Sequence, residues 1–388
     1  MSELAERYRD EFPVKQGRIY FNHAGICPLP RRTAEAARRM LQEQLEGGAS
    51  EANYRGWTAG IGQAREALAK LTRSAPEEIA FVKNTTTGLM IAAGSIPWKD
   101  GDNVVTTAVE FPANVYPWLA LERYGVETRF VGLRGGRLLM DDLVATMDRR
   151  TRAVALSWVQ FSNGFRADLG KLSQLCRDRG CFLVLDAIQG LGAMQLDLSR
   201  YAVDFAAADG HKWLLSVEGC GMLYVRRQIM DDLVPFHIGW MGVQNASEYL
   251  DYQLTPRPDA ARFEEGSHNV AGLHALGASA GLFLEAGPAK VETEIIALTD
   301  GLIERLEQAG CVITSPCGAG ERSGIVTFQH PRVPPDELAR ALNAAGVQCA
   351  QRAGAVRLSP HFYNDEAEVE RAVALVAETA AGRKAGEE

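Results

Sequence analysis

Short apolar runs set between helical patterns constrain this chain more than anything else in its sequence. Thr128–Val131, Ala153–Val159, Phe182–Leu185 and Gly221–Val225 are brief, mostly apolar, and bounded by Gly, Asp, Glu or Arg. Between them lie segments with a helical period. Pro30–Glu46 puts Ala34, Ala37, Met40 and Leu41 on one face, and Thr58–Leu71 repeats the pattern. Asn103–Ala108 reads as a further strand and Pro117–Tyr124 as the start of a helix. A strand that is apolar throughout is buried on both faces, which is the situation in a parallel sheet covered by its crossover helices. The expected fold is therefore α/β with a mostly parallel sheet.

After the Pro-, Asp- and Arg-rich stretch Pro256–Arg262 the order changes. Helix readings at Val270–Glu285, Glu292–Ala309, Pro335–Ala345 and Asp365–Glu378 alternate with only two strand readings, Gly324–Gln329 and Val356–Leu358. We expect a large domain over 18–265 and a smaller α+β domain over 266–388, joined by the N-terminal segment 1–17. A chain of 388 residues has room for this, since cores stop growing beyond roughly 250–300 residues.

Composition removes several function classes. With 41 basic and 49 acidic residues the net charge is −8, the opposite of a nucleic-acid footprint. The cluster Arg149, Arg150, Arg152 reads as a solvated turn before a strand. No window approaches the roughly 20 apolar residues of a membrane helix, and Met1–Gly17 is charged rather than signal-like. The seven Cys are scattered without CxxC, and the seven His have no HExxH spacing. We expect no metal, no membrane, no nucleic acid, and a reducing, cytoplasmic setting.

Two segments carry chemistry. Phe182–Leu185 ends in Asp186, and ligands of open α/β sheets sit beyond the carboxyl ends of strands. Taken alone, Asp186 is equally readable as a helix cap or turn residue. A small-residue run, Val203–Asp209, then delivers Lys212 between His211 and Trp213. A lone Lys usually snorkels to solvent, but one set among apolar groups becomes a nucleophilic amine. A Lys and a carboxylate on neighbouring strands meet the two main demands of pyridoxal 5′-phosphate (PLP): an amine for its aldehyde and an acid against its pyridine nitrogen. Phe81-Val82-Lys83-Asn84-Thr85-Thr86-Thr87-Gly88 adds a strand end, three hydroxyls and a helix opening at Gly88, a composition suited to a phosphate, though also to an ordinary Thr cap. Phe111, between a strand and a helix, offers a flat face or a core aromatic.

Together these segments resemble the aminotransferase class V family of fold-type-I PLP enzymes, which includes cysteine desulfurases, selenocysteine lyases, kynureninases and isopenicillin N epimerase-like proteins. The likeness runs from about Tyr20 to Val376 and is most specific in Asp186-x-x-Gln189 and His211-Lys212. It implies a large domain built on a seven-stranded-type sheet, PLP as a Schiff base on Lys212, Asp186 at the pyridine nitrogen, and Phe111 stacked on the ring. Gln189 and Asn163 would sit beside the ring hydroxyl. Thr85, Thr86, His211 and the neighbouring Asp209 would lie at the phosphate. Arg357, assisted by Arg352, would clamp a substrate carboxylate, with His23 and Asn22 at the substrate entrance. Ser267, in Glu264–Ser267, matches the segment that reaches a partner subunit's phosphate, which implies a homodimer with shared sites.

Three departures shape the expected reaction. Desulfurases place His where this chain has Phe111. They also carry a loop with a nucleophilic Cys, whereas Arg352–Arg357 is short and holds none, and Cys349 lies on the wrong side of Arg352. Asp209 stands where relatives use Ser or Thr, and a carboxylate repels a phosphate unless it is turned away or hydrogen-bonded. The expectation is an enzyme acting at the α-carbon of an amino acid or amine-bearing metabolite, with Lys212 as the base: a C–S β-lyase or an aminotransferase. An epimerase of isopenicillin N type is an alternative, and a desulfurase is disfavoured. Two other classes are weaker. The pairs Gly190/Gly192 and Gly219/Gly221 lack the third glycine of a dinucleotide loop, those places holding Gln195 and Tyr224. A non-catalytic binding protein on this fold would have no need of Lys212 and Asp186 together.

Overall fold

The computed structural model describes residues 2–234 and 237–382. Its large sheet has seven strands: β1 (Ile79–Val82), β2 (Asn103–Thr107), β3 (Glu127–Val131), β4 (Thr151–Ser157), β5 (Phe182–Asp186), β6 (Phe205–Asp209) and β7 (Gly221–Val225). They lie in the order β1-β7-β6-β5-β4-β2-β3. Apart from β7, which runs antiparallel to both β6 and β1, neighbours are parallel. The sequence reading grouped Gly221–Val225 with the parallel strands. Its direction is reversed because the link from β6, Gly210–Cys220, holds no helix, and a parallel return needs a long, usually helical, crossover. That same short link carries Lys212.

Helices α1 (Arg31–Gly47), α2 (Glu51–Thr72), α3 (Thr85–Ser95), α4 (Leu169–Arg179) and α5 (Val270–Ala286) include those that cover the sheet. Each of the last four starts on a side chain that accepts a first-turn N–H: Ser50, Asn84, Asp168 and Asn269 respectively. α5 packs along α1 and α2. No single described helix is long and apolar enough to cross a membrane.

A second, antiparallel sheet contains β8 (Val312–Ile313), β9 (Val326–Gln329), β10 (Ala350–Arg352) and β11 (Ala355–Leu358), in the order β10-β11-β9-β8. It builds its own core from Phe328, Leu338, Leu342, Val356 and Val376. Near the N-terminus, Ile19–Tyr20 pairs with Val347–Gln348, and Asn22 bridges to Ser359. This stitching brings Ala24–Ile26 to the carboxyl end of β6, where Cys27 N–H donates to the His211 carbonyl.

Candidate active site

A cavity of about 310 Å³ opens at the carboxyl ends of β5 and β6, between the start of α3 and strands β10 and β11. Asp186 ends β5 and is 2% exposed. Its Oδ1 accepts the Ile188 N–H at 3.1 Å. Burial pushes the carboxyl up to about 7, Glu110 acts in the same direction, and Lys212 opposes them. Lys212 faces the same space, and burial brings its ammonium down to about 8, helped by Arg357 and Arg352 and opposed by Asp186 and Asp209. An amine in this range is largely protonated at neutral pH yet loses its proton readily, as a nucleophile and base must.

The turn that presents Lys212 is forced. Leu215 is buried with φ +53° and donates its N–H to the Lys212 carbonyl at 3.1 Å. Beneath it passes Gly192, φ +100°, where a Cβ would stand 2.2 Å from the Trp213 carbonyl oxygen, so only glycine fits. Lys212 Nζ lies 5.4 Å from the centroid of Phe111. Phe111 meets Phe161 edge-on, with centroids 5.3 Å apart and planes at 81°.

At the other end of the cavity, α3 begins at Thr85, one turn earlier than the Gly88 opening read from the sequence, because Asn84 is its cap: Asn84 Oδ1 accepts the Thr87 N–H at 2.9 Å. Thr85 and Thr86 thus sit in the first turn, where N–H groups lack intrahelical partners and favour an anion. The helix approaches closely because a Cβ on Gly88 would stand 2.7 Å from Ala207 Cβ; the alanines of β6 make that room. Thr85 Oγ1 accepts the Asp209 N–H at 3.0 Å. The Asp209 carboxylate accepts the Gly210 N–H at 2.7 Å and lies 2.9 Å from His211 Nδ1. The Asp209 carboxylate thus closes its own turn, with His211 Nδ1 beside it.

On the substrate side, Arg357 of β11 is 1% exposed. One nitrogen donates to the Phe161 carbonyl at 2.7 Å, while its Nε has no partner. Burial, with Arg352 alongside, brings this guanidinium down to about 10. A buried cation with an unused donor is built for an incoming anion. Gln189 spans the floor, donating to the Ala24 carbonyl at 3.0 Å and accepting from Trp213 Nε1 at 2.9 Å, which leaves one amide hydrogen.

Four expected residues lie elsewhere. Asn163 does not line the cavity: its amide donates to the Gly136 carbonyl at 2.8 Å and its oxygen accepts the Phe165 N–H at 3.0 Å, closing a turn. The residue its segment sends to the cavity is Phe161. His23 is fully buried away from the entrance, held by the Ser359 carbonyl and the Tyr363 hydroxyl, both at 2.8 Å, and burial drives it down to about 3. Asn22 folds back over Gly25, its amide 2.8 Å from where a Cβ there would be. Ser267 lines a separate cavity with Lys83, Thr87 and Gly266. The sequence reading missed Ile26, Phe161, Glu218 and Asn84 in the cavity wall. It also missed Glu110, buried behind the wall, where it accepts from Thr107 Oγ1, Asn114, Gln160 and the Ser157 N–H. Glu110 stands directly before Phe111, and a carboxylate so close to an aromatic platform was the one available signal.

The residues fit PLP on their own chemistry: an amine of depressed pKa, a buried carboxyl bonded only by a backbone N–H among the described residues, hydroxyls at a helix start, and a flat ring beside the amine. Residues 19–372 match the profile described as aminotransferase class-V. The chain belongs to the aminotransferase class V family. Family members are PLP-dependent enzymes, and this chain is one. Among curated proteins it is 28% identical to a probable cysteine desulfurase of Methanothermobacter thermautotrophicus, over 94% of this chain and 95% of that protein. It is 26% identical to the uncharacterised aminotransferase YcbU of Bacillus subtilis, over 97% and 98%. Among solved structures it matches the apo cysteine desulfurase of Thermococcus onnurineus with a TM-score of 0.88 at 24% identity, covering 99% of this chain and 100% of that one. It matches the cystine C–S lyase C-DES, bound to its product cysteine persulfide, with a TM-score of 0.86 at 25% identity, over 95% and 99%.

Proposed function

We propose that this class V enzyme breaks the Cβ–S bond of a cysteine-type amino acid and lets the sulfur leave without a thiol of its own in the cavity. The observation that carries the reading is the wall itself: none of the seven cysteines lines it. Cys27 and Cys349 are buried, and burial raises both thiols to about 12. Cys317 is exposed, on the stretch between β8 and β9. The names of relatives supply the bond: probable cysteine desulfurases and a cystine C–S lyase both act on sulfur amino acids.

Arg357 holds the substrate carboxylate and so orients the α-carbon. Bound PLP supplies an electron sink for negative charge at that carbon. Asp186 keeps the pyridine nitrogen protonated. Lys212 takes the α-proton, and it is the proton carrier because Phe111, beside it, has none to give. Phe111 and Phe161 keep water from one side. Loss of the sulfur group and addition of water then leave pyruvate and ammonia.

A desulfurase is the second reading, and the names of the curated relatives weigh for it more than the sequence departures allowed. It requires an outside thiol to take the sulfur, and its three-carbon product is alanine. The assay is therefore direct: incubate the PLP-loaded enzyme with L-cysteine and L-cystine and identify that product. Pyruvate with ammonia supports elimination; alanine in step with persulfide on an added thiol supports the desulfurase; amine-form cofactor with keto acid and no sulfide would overturn C–S cleavage. We further propose a homodimer as the working unit, with Ser267 reaching the neighbour's phosphate.

A further inference from the structure

A buried carboxylate without a cation stands behind the aromatic side of the cavity. Glu110 is 7% exposed, and no Lys, Arg or His pairs with it among the described residues. Its two oxygens are filled instead by neutral donors from β2, β4 and the links that follow them. Thr107 Oγ1, at the end of β2, donates to Oε1 at 2.8 Å. The Ser157 N–H, at the end of β4, reaches both oxygens at 3.1 Å, and the Ser157 hydroxyl donates to Oε2. Gln160 donates to Oε1 at 2.7 Å and Asn114 to Oε2 at 3.1 Å. All four donor residues are buried. Taking a carboxylate out of water without a cation is expensive. What a fully satisfied buried network returns is rigidity: each group that points at the carboxylate has one position.

The groups so fixed carry the aromatic side of the site. Phe111 directly follows Glu110, and Phe161 directly follows Gln160. Both line the cavity, and they meet edge-on. Phe111 is 45% exposed, with Lys212 Nζ over its ring, so packing on its open side does not hold it. Ser157, the third residue tied to the carboxylate, is the register partner of Asp186 on the neighbouring strand. We infer that Glu110 is a positioning residue: through its own backbone and through Gln160 it holds Phe111 and Phe161 against each other, so that Phe111 keeps its flat face to the space beside Lys212 where PLP binds. Glu110 does not line the cavity, and it acts only through the residues it holds. Binding sites lose function when the groups behind the contacting residues are loosened. A glutamine here would turn an amide N–H toward one of the donors, and at least one of these bonds would be lost. The inference rests on Phe111 as the flat group for the cofactor, and the experiment separates the two.

The test is a double-mutant cycle on the PLP-loaded enzyme: wild type, Glu110→Gln, Phe111→Ala and the two together. Two quantities are read, the dissociation constant of PLP and the visible circular dichroism per bound PLP, which reports how the ring is set in the site. Glu110→Gln should weaken PLP binding about tenfold in the wild-type background but less than about threefold beside Phe111→Ala, a coupling of the size found within one network. It should also lower the dichroism per bound PLP, which a general loss of stability does not change. If Glu110→Gln does not fold, Gln160→Met, which removes one donor at similar length, carries the same cycle with smaller effects. Equal losses in the two Phe111 backgrounds, or an unchanged dichroism, would make the network purely structural and overturn the inference. If Phe111→Ala alone changes neither quantity, its flat-face role falls and the inference falls with it, while PLP on Lys212 stands.

Discussion

The floor of the cavity and its mouth are built on opposite plans. On the floor, polar side chains are held by named protein partners. Glu110 gathers Thr107, Asn114, Ser157 and Gln160; Gln189 ties Ala24 to Trp213; Asp209 holds Gly210 and His211. At the mouth, Arg352 and Glu218 are exposed and have no side-chain partners among the described residues. Catalytic groups need fixed positions, since electrostatic stabilisation depends on donors and charges that do not reorganise during reaction. Groups that choose among substrates can wait for the substrate to order them. Substitutions of the buried groups should therefore damage the chemistry or the binding of the reacting amino acid, and those at the mouth should cost far less.

The largest effect is expected at the floor's central carboxyl. Asp186→Ala should lower kcat by about 10²–10⁴-fold, the range for a missing acid–base partner, while the protein still folds. Steady-state kinetics on L-cystine checks this, and a loss below tenfold would break the contrast between floor and mouth. Arg357→Ala comes next and belongs to binding: KM should rise about 30- to 160-fold, as for a lost charge-assisted hydrogen bond of roughly 2–3 kcal/mol. An unchanged KM with a fallen kcat would move Arg357 from the substrate to the scaffold.

How far these roles were legible depends on whether a residue's partners are close in sequence or supplied by the fold. Asp186 and Lys212 stood out because strand ends and their apolar flanks are local patterns. Asn84 was missed because Thr and Asn both cap helices, and the structure alone showed which side chain accepts the Thr87 N–H. His23 was misplaced for a different reason. Its partners, Ser359 and Tyr363, lie at the far end of the chain, and only the pairing of Ile19–Tyr20 with Val347–Gln348 brings them together. Phe161 was passed over for Asn163 because a polar residue is the natural choice beside a ring hydroxyl. The turn through Gly136 and Phe165 consumes that amide. The reversal of β7 was hidden because burial on both faces erases any sign of direction.

A smaller effect sharpens the picture of the floor without its cofactor. Asp186 is raised to about 7 from an ordinary 3.8, so the folded chain binds that proton more tightly than the unfolded one. Its contribution to stability is complete below about pH 4 and is lost as pH rises to about 7, by up to about 4 kcal/mol on linkage. Lys212, which titrates from about 8 upward, is silent in that window. Urea midpoints of cofactor-free protein at pH 5 and 7 should differ more for wild type than for Asp186→Asn, and equal slopes would remove Asp186 as the cause. The smallest kinetic effect is expected from His23→Phe. It should cost about 1–3 kcal/mol of stability by leaving buried partners unpaired, yet leave kcat and its pH profile unchanged.

The account stands or falls on Lys212 as the residue that carries PLP. Reconstituted enzyme reduced with borohydride, digested and mapped by mass spectrometry should carry the phosphopyridoxyl group on the peptide containing Lys212, and Lys212→Ala should yield no reduced adduct. An adduct on another lysine in the wild type, or one that survives Lys212→Ala, would contradict it.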